Sequence, residues 1–143
     1  IGPMQEARPN PFTLDRLRKA GLRPTRQRLA LAKLLLDTGH RHVTAEQLHN
    51  EAGEEGIKVS LATVYNTLHQ FTEADLLREV VVESGRGYFD TKTNGHHHIF
   101  HQDTGELRDI PDNAISGLIL PEAPEGTEIE RVEIIVRVKS SIR

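Results

Sequence analysis

The hydrophobic repeat of this chain changes period once, and that change restricts its fold more than any other feature. Up to Phe71 the apolar residues recur three and four apart; from Leu76 onward they fall in short runs bounded by turn residues. Helices therefore come first and strands second. Thr13 caps a short helix over Leu14–Ala20, which Gly21 stops. Pro24 and Thr25 restart the chain into a second helix carrying Leu29, Leu31, Leu34, Leu35 and Leu36 and ending near Gly39. Thr44 with Gln47 three residues on forms a capping box that opens a third helix, Ala45 to about Glu54, closed by Gly56. Ser60 caps a fourth, in which Leu61, Val64, Leu68 and Phe71 share a face while Thr63, Tyr65, Asn66, Thr67, His69 and Gln70 lie largely off it.

Beyond the change of period, Leu76–Val82 reads as a strand, residues 83–87 as a tight turn and Tyr88–Asp90 as the returning strand. Helices followed by a two-stranded hairpin is the element order of a winged helix-turn-helix, in which one helix enters the major groove and the hairpin flanks it. After a polar linker, Thr91–Gly95, His97–His101 and Glu106–Ile110 read as short strands around an Asp103-Thr104-Gly105 turn. Pro111–Leu120 reads as a short helix. Thr127–Val138 reads as one long strand whose Ile134-Ile135-Val136 run suggests cover on both faces. The expected fold is α+β: a winged helix-turn-helix over residues 13–91, a hinge over 92–95 and a small α/β dimerisation and effector-sensing domain over 96–143. A small unit with one open sheet needs a second copy to cover it. Ile1-Gly2-Pro3 ahead of Met4 reads as a remnant leading into a flexible basic arm over 1–12.

Charge is segregated along the same boundary. The 143 residues have a net charge of −3, yet residues 1–91 hold 12 basic and 12 acidic side chains while 92–143 hold 6 and 9. Residues 8–28 contain seven basic groups (Arg8, Arg16, Arg18, Lys19, Arg23, Arg26, Arg28) against Asp15 alone, an asymmetry that suits a polyanion. Arg23, Arg26 and Arg28 would meet phosphates. Ser60, Thr63, Tyr65 and Asn66, on or beside the start of the fourth helix, are small or polar enough to reach base edges and thymine methyls.

The chain has no cysteine, which excludes disulfides, thiolate zinc sites and cysteine nucleophiles. It has eight histidines. His96 and His98 share one face of an extended segment while His97 points away; Asp90 precedes them and Asp109 lies on the next strand. Imidazole and carboxylate without sulfur suit iron, manganese or zinc as divalent ions. Three adjacent histidines, His96, His97 and His98, also offer axial ligands to haem. His42 joins the site only if the fold carries it there. No apolar run is long enough to span a membrane, and no signal segment is evident, so a cytoplasmic location is expected.

Gly21-Leu22-Arg23-Pro24-Thr25-Arg26-Gln27-Arg28, His42-Val43-Thr44-Ala45-Glu46, Ser60 through Leu68, and His96-His97-His98 together resemble the ferric uptake regulator family, from about Thr13 to Val138. The resemblance implies a homodimeric transcription regulator of iron homeostasis genes, a repressor rather than an enzyme, bound to a palindromic AT-rich operator in double-stranded DNA. It places Tyr65 in the major groove and Arg23 in the minor groove, with an inter-domain regulatory site of His42, Asp90, His96, His98 and Asp109. Asn66 stands where relatives usually carry arginine. His101 and Thr104 stand where many relatives carry the first cysteine pair of a structural zinc site, so that site is absent and packing alone would hold the sheet. The missing cysteines, the histidine triplet and Asn66 resemble the iron response regulator (Irr) branch, which implies DNA affinity controlled by haem at His96–His98. The alternative is a direct Fe(II)- or Mn(II)-responsive repressor without haem sensing. A metal-dependent hydrolase built on the same histidines lacks a nucleophile pattern, and a winged-helix interaction module with no effector leaves the histidines unused.

Overall fold

The computed structural model describes residues 11–83, 86–93, 97–111 and 113–141, apart from the side chains of Pro11 and Arg86. Residues 1–10 of the expected arm, Arg8 among them, residues 84–85 of the turn, residues 94–95 of the hinge and His96 lie outside the described residues, whereas Pro11 and Phe12, expected in the arm, belong to the first helix. The chain divides into two compact units, 1–93 and 94–143.

In the first unit four helices precede a small sheet: α1 (Pro11–Lys19), α2 (Arg26–Leu36), α3 (Ala45–Glu54) and α4 (Leu61–Glu73). The caps explain the boundaries. Thr25 accepts from the Arg28 N–H, Ser60 from the Thr63 N–H, and Thr44 with Gln47 closes both halves of the capping box. Thr13 is not the cap of α1. The helix begins at Pro11, where a residue without an N–H loses nothing, and Thr13 is buried with its hydroxyl donating to Asp37 Oδ1 at 2.5 Å. α1 closes at Gly21 with φ 78°; the Gly21 N–H reaches Arg18 O and the Leu22 N–H reaches Leu17 O, the paired bonds of a Schellman turn. The same turn ends α4 with a non-glycine residue, Asp75 at φ 61°. Leu17, Leu31, Leu35, Leu48, Val64, Leu68, Phe71 and Phe89 meet in one core at 0–1% exposure, each contributing roughly 1.5–3 kcal/mol by burial. Thr67 is buried with them, because its hydroxyl is satisfied within the helix by Thr63 O at 2.8 Å.

The sheet of this unit has three strands rather than the hairpin's two. β1 (His42–Val43), β2 (Arg78–Glu83) and β3 (Arg86–Asp90) lie in the order β1-β3-β2, all antiparallel. β1 is two residues long, too short to announce itself by periodicity, yet it sets His42 opposite Asp90 and Val43 opposite Phe89.

The second unit holds β4 (His98–His101), β5 (Leu107–Asp109) and β6 (Ile135–Val138) in the order β5-β4-β6, with β4 antiparallel to β5 and parallel to β6. Two expectations fail here. The long strand from Thr127 shrinks to Ile135–Val138, because β4 offers only His98–His101 as a pairing edge. Just before it, the Ile134 N–H bonds to His97 Nδ1 at 3.1 Å instead of to a strand. Nor are both faces covered, since Val136 is exposed. The expected helix over Pro111–Leu120 does not form among the described residues. Gly117 takes φ 74° in its middle, and Leu118, Ile119 and Leu120 are 52%, 95% and 48% exposed, so no packed face supports so short a helix. The sheet is held by more than packing: at its tip Asp103 Oδ2 accepts from the Ser140 N–H at 2.5 Å and Val138 O accepts from the Gln102 N–H at 2.9 Å. Among the described residues no helix is long and apolar enough to cross a membrane.

Candidate metal centre and nucleic-acid interface

Asp90 ends β3 and is fully buried. Its Oδ1 accepts the Lys92 N–H at 2.9 Å and lies 2.7 Å from His40 Nε2, while its Oδ2 lies 3.2 Å from His42 Nε2. The two imidazoles stand edge to face with centroids 4.9 Å apart. The sheet explains the arrangement, since β1 pairs His42 with Asp90; His40, two residues earlier, brings its imidazole to the same carboxylate. Donors about 2.1 Å from a single ion lie ~3–3.5 Å from one another; the 3.2 Å separation of His42 from Oδ2 falls in that range, while the 2.7 Å between His40 and Oδ1 is a hydrogen bond that an ion would have to open. Two imidazoles and one carboxylate form a donor set for divalent iron, manganese or zinc. His40 was missed from the sequence, although the spacing His40-Arg41-His42 carries the same i, i+2 signal used for His96 and His98. Between them, Arg41 anchors the segment through a two-armed ion pair to Glu51 at 2.8 and 2.6 Å.

In the second unit His98 is buried on β4 and its Nε2 lies 3.4 Å from Asp109 Oδ1 on β5, the residue opposite it in the ladder. His97, turned the other way, accepts the Ile134 N–H through Nδ1. That bond fixes its tautomer with the proton on Nε2. Each unit thus carries part of the expected ligand set: His42 and Asp90, with His40, in the first, and His98 and Asp109 in the second.

The other candidate surface lies around the first turns of α4. An open pocket of about 450 Å³ lies between the Arg23–Arg28 segment and α4, which lines it with Thr63, Asn66, Thr67 and Gln70. Arg23, Arg26 and Asn66 are exposed. The Arg28 guanidinium donates to Gln70 Oε1 at 3.2 and 3.0 Å and to Arg23 O at 2.9 Å. It braces the Arg23 loop against α4. Ser60 is the helix cap, and its hydroxyl donates to Thr63 Oγ1 at 2.9 Å. Tyr65 donates its phenol proton to Glu46 Oε1 on α3 at 2.7 Å, and its ring lies nearly parallel to that of His69 at 6.4 Å. This hydrogen bond holds the Glu46 carboxyl below its ordinary pKa and raises that of Tyr65. Glu46 and Gln70 escaped the sequence reading of this surface, since each reaches it from a position that only the folded helices define.

The family model for the ferric uptake regulator family matches residues 19–137. The chain belongs to that family. The ferric uptake regulation protein of Pseudomonas aeruginosa is 38% identical over 100 residues, 69% of this chain and 75% of that protein. The peroxide-responsive repressor PerR of Staphylococcus aureus is 30% identical over 116 residues, 81% of this chain and 70% of that protein. Among solved structures, the Pseudomonas aeruginosa ferric uptake regulator with manganese superposes with a TM-score of 0.68 at 29% identity, covering 89% of this chain and 96% of the other. As a member of the ferric uptake regulator family this chain is a regulator, with the α+β organisation read from its sequence.

Proposed function

We propose that the chain is a dimeric, DNA-binding transcriptional regulator whose affinity for an AT-rich palindromic operator is governed directly by a divalent metal. The observation that carries this reading is the buried Asp90 carboxylate held between His40 and His42 at 2.7 and 3.2 Å. His98 and Asp109, with His96, are proposed to complete the ligand set from the second unit. Iron, manganese and zinc all suit those donors, and the manganese-bound relative supports the class. When bound, the ion would supply fixed positive charge that draws these donors into one arrangement. An effector that prefers one arrangement of the two units prefers one spacing of the two recognition helices, and so one operator geometry.

The DNA-binding half of the proposal rests on the exposed Arg23 and Arg26 for phosphate and minor-groove contact and on Thr63, Tyr65 and Asn66 for base edges. The homodimer is supported by apolar side chains that the second unit leaves in solvent: Leu118, Ile119, Leu120, Ile129, Val132 and Val136, each 36–95% exposed. Direct metal control is favoured over the Irr-type haem reading. His98 is 3% exposed and faces Asp109, and His97 is committed through Nδ1 to Ile134. A haemin titration separates the two: a saturable Soret shift lost on replacing His96, His97 and His98 with alanine would favour haem. Gel-shift titration on a palindromic AT-rich duplex, with manganese or with chelator, tests the function itself. The proposal expects salt-sensitive binding that the metal strengthens; no such binding at any metal concentration would defeat it.

A further inference from the structure

We infer that Glu46 is a specificity-determining positioning residue: by accepting the Tyr65 phenol proton it makes the recognition tyrosine an acceptor toward base edges. The inference rests on the DNA-binding reading above and adds a residue and a chemical rule to it. A phenol has one proton, and here it lies in the bond to Glu46 Oε1 at 2.7 Å. Both side chains sit at the protein surface, Glu46 on the first turn of α3 and Tyr65 on the second turn of α4, so the pair is formed where a duplex would meet it. The ring is held as well, nearly parallel to His69 at 6.4 Å, and His69 in turn stands edge-on to Phe89 of the core at 5.6 Å. Orientation and proton are both set before DNA arrives. What Tyr65 then presents is an oxygen with lone pairs and an apolar ring edge, and Glu46 adds a second acceptor-only group beside it.

Major-groove chemistry converts this into a preference. Adenine and cytosine offer amino donors, thymine offers the O4 acceptor but beside it a methyl group for the ring edge, and guanine offers only the acceptors N7 and O6. An acceptor-only pair meets guanine with lone pair against lone pair. Guanine should therefore be excluded at the base contacted by Tyr65, in each half-site. The depressed Glu46 carboxyl and the raised Tyr65 phenol keep the pair in this protonation state across neutral pH.

The test is selection from a duplex library randomised across the half-site, using the full-length manganese-loaded protein and the variants Glu46→Ala, Glu46→Gln and Tyr65→Phe, followed by anisotropy titration of single-base variants. The wild type should reject guanine at one position per half-site by roughly fivefold or more, the low end for a single base contact. Glu46→Ala should abolish most of that rejection, because the freed hydroxyl can rotate and donate to guanine. Tyr65→Phe should abolish it too. Glu46→Gln, whose amide oxygen still accepts the phenol proton but whose amino group can donate to guanine, should retain part of it and fall between the wild type and Glu46→Ala. A Glu46→Ala protein that binds all duplexes uniformly tighter with the guanine rejection intact would overturn the inference, leaving Glu46 as a source of charge alone. Equal loss in Glu46→Gln and Glu46→Ala would overturn it as well. Absence of salt-sensitive binding by the wild type would remove the DNA-binding proposal and this inference together; intact wild-type binding with an unaltered Glu46→Ala preference removes only the inference.

Discussion

Replacing Asp90 with asparagine separates what the buried carboxylate does for the fold from what it does for an ion. The side chain is fully buried, and its Oδ1 accepts the Lys92 N–H at 2.9 Å. Asparagine preserves that bond through its carbonyl oxygen, and its amide group can donate to a neutral imidazole where Oδ2 faced His42. The metal-free protein should therefore lose only about 1 kcal/mol, the net worth of a hydrogen bond. The ion loses the one carboxylate of the candidate site that the described residues of the first unit supply. With free manganese at a hundred times its Kd, the wild type should be stabilised by about 2.7 kcal/mol, or roughly 5–10 °C in Tm for a chain of this size. If the substitution weakens binding a hundredfold, the same manganese concentration leaves RT ln 2, about 0.4 kcal/mol, and a shift of roughly 1 °C. Scanning calorimetry of both proteins with manganese and with chelator reads all four values. A variant that keeps the full manganese shift would refute the assignment of Asp90 as a ligand. A variant whose metal-free Tm collapses would refute the claim that asparagine can satisfy the site.

Other outcomes follow from the same geometry. Thr44→Ala removes one half of the α3 capping box and should cost about 1 kcal/mol in urea-unfolding experiments, with the slope unchanged. Arg23→Ala should weaken binding to all duplexes alike and reduce the salt slope by about one unit, as expected for a loss of phosphate contact. Ile119→Glu places a charge on a side chain that is 95% exposed in the single chain; sedimentation should show monomer in place of dimer, with the first unit still folded. The Tyr65 phenol, raised by its bond to Glu46, should titrate closer to the ordinary tyrosine value in Glu46→Ala when followed by ultraviolet absorbance. The signs are opposite for the two partners. The raised phenol contributes below the unfolded tyrosine pKa and loses that contribution as pH rises through its folded value. The lowered Glu46 carboxyl contributes above the unfolded glutamate pKa and loses it as pH falls through its folded value. The bond is therefore fully formed between about pH 5 and pH 9.

The first unit was legible because its signals are local. Thr25, Thr44 and Ser60 cap the helices that they announce, and the apolar spacing of α4 becomes its buried face. Thr13 misled because a hydroxyl near a helix start resembles a cap, whereas its partner, Asp37, lies 24 residues away. β1 was missed because two residues carry no period, and with it went the reason that His40 and His42 reach Asp90. The second unit was read less well for a different reason. Its apolar residues near 118–120 and 129–136 promise a helix and a long strand, but the isolated chain offers them neither a packed face nor a pairing edge. The charge segregation likewise identified a basic surface but could not foresee that Arg28 would bond to Gln70 and the Arg23 carbonyl across that surface. Propensity and pattern identify elements; the partners that complete a site are set by tertiary contacts between residues far apart in sequence.

The central claim is that a divalent ion at the histidine–carboxylate centre and DNA on the α4 surface bind the same state of the protein. Manganese occupancy, measured by equilibrium dialysis with and without a saturating palindromic duplex, tests it directly because coupling between two ligands is reciprocal. The account predicts that duplex tightens manganese binding by the same factor, on the order of 10- to 100-fold, by which manganese tightens duplex binding, and that Asp90→Asn lowers both together. Manganese affinity unchanged by saturating duplex would contradict it.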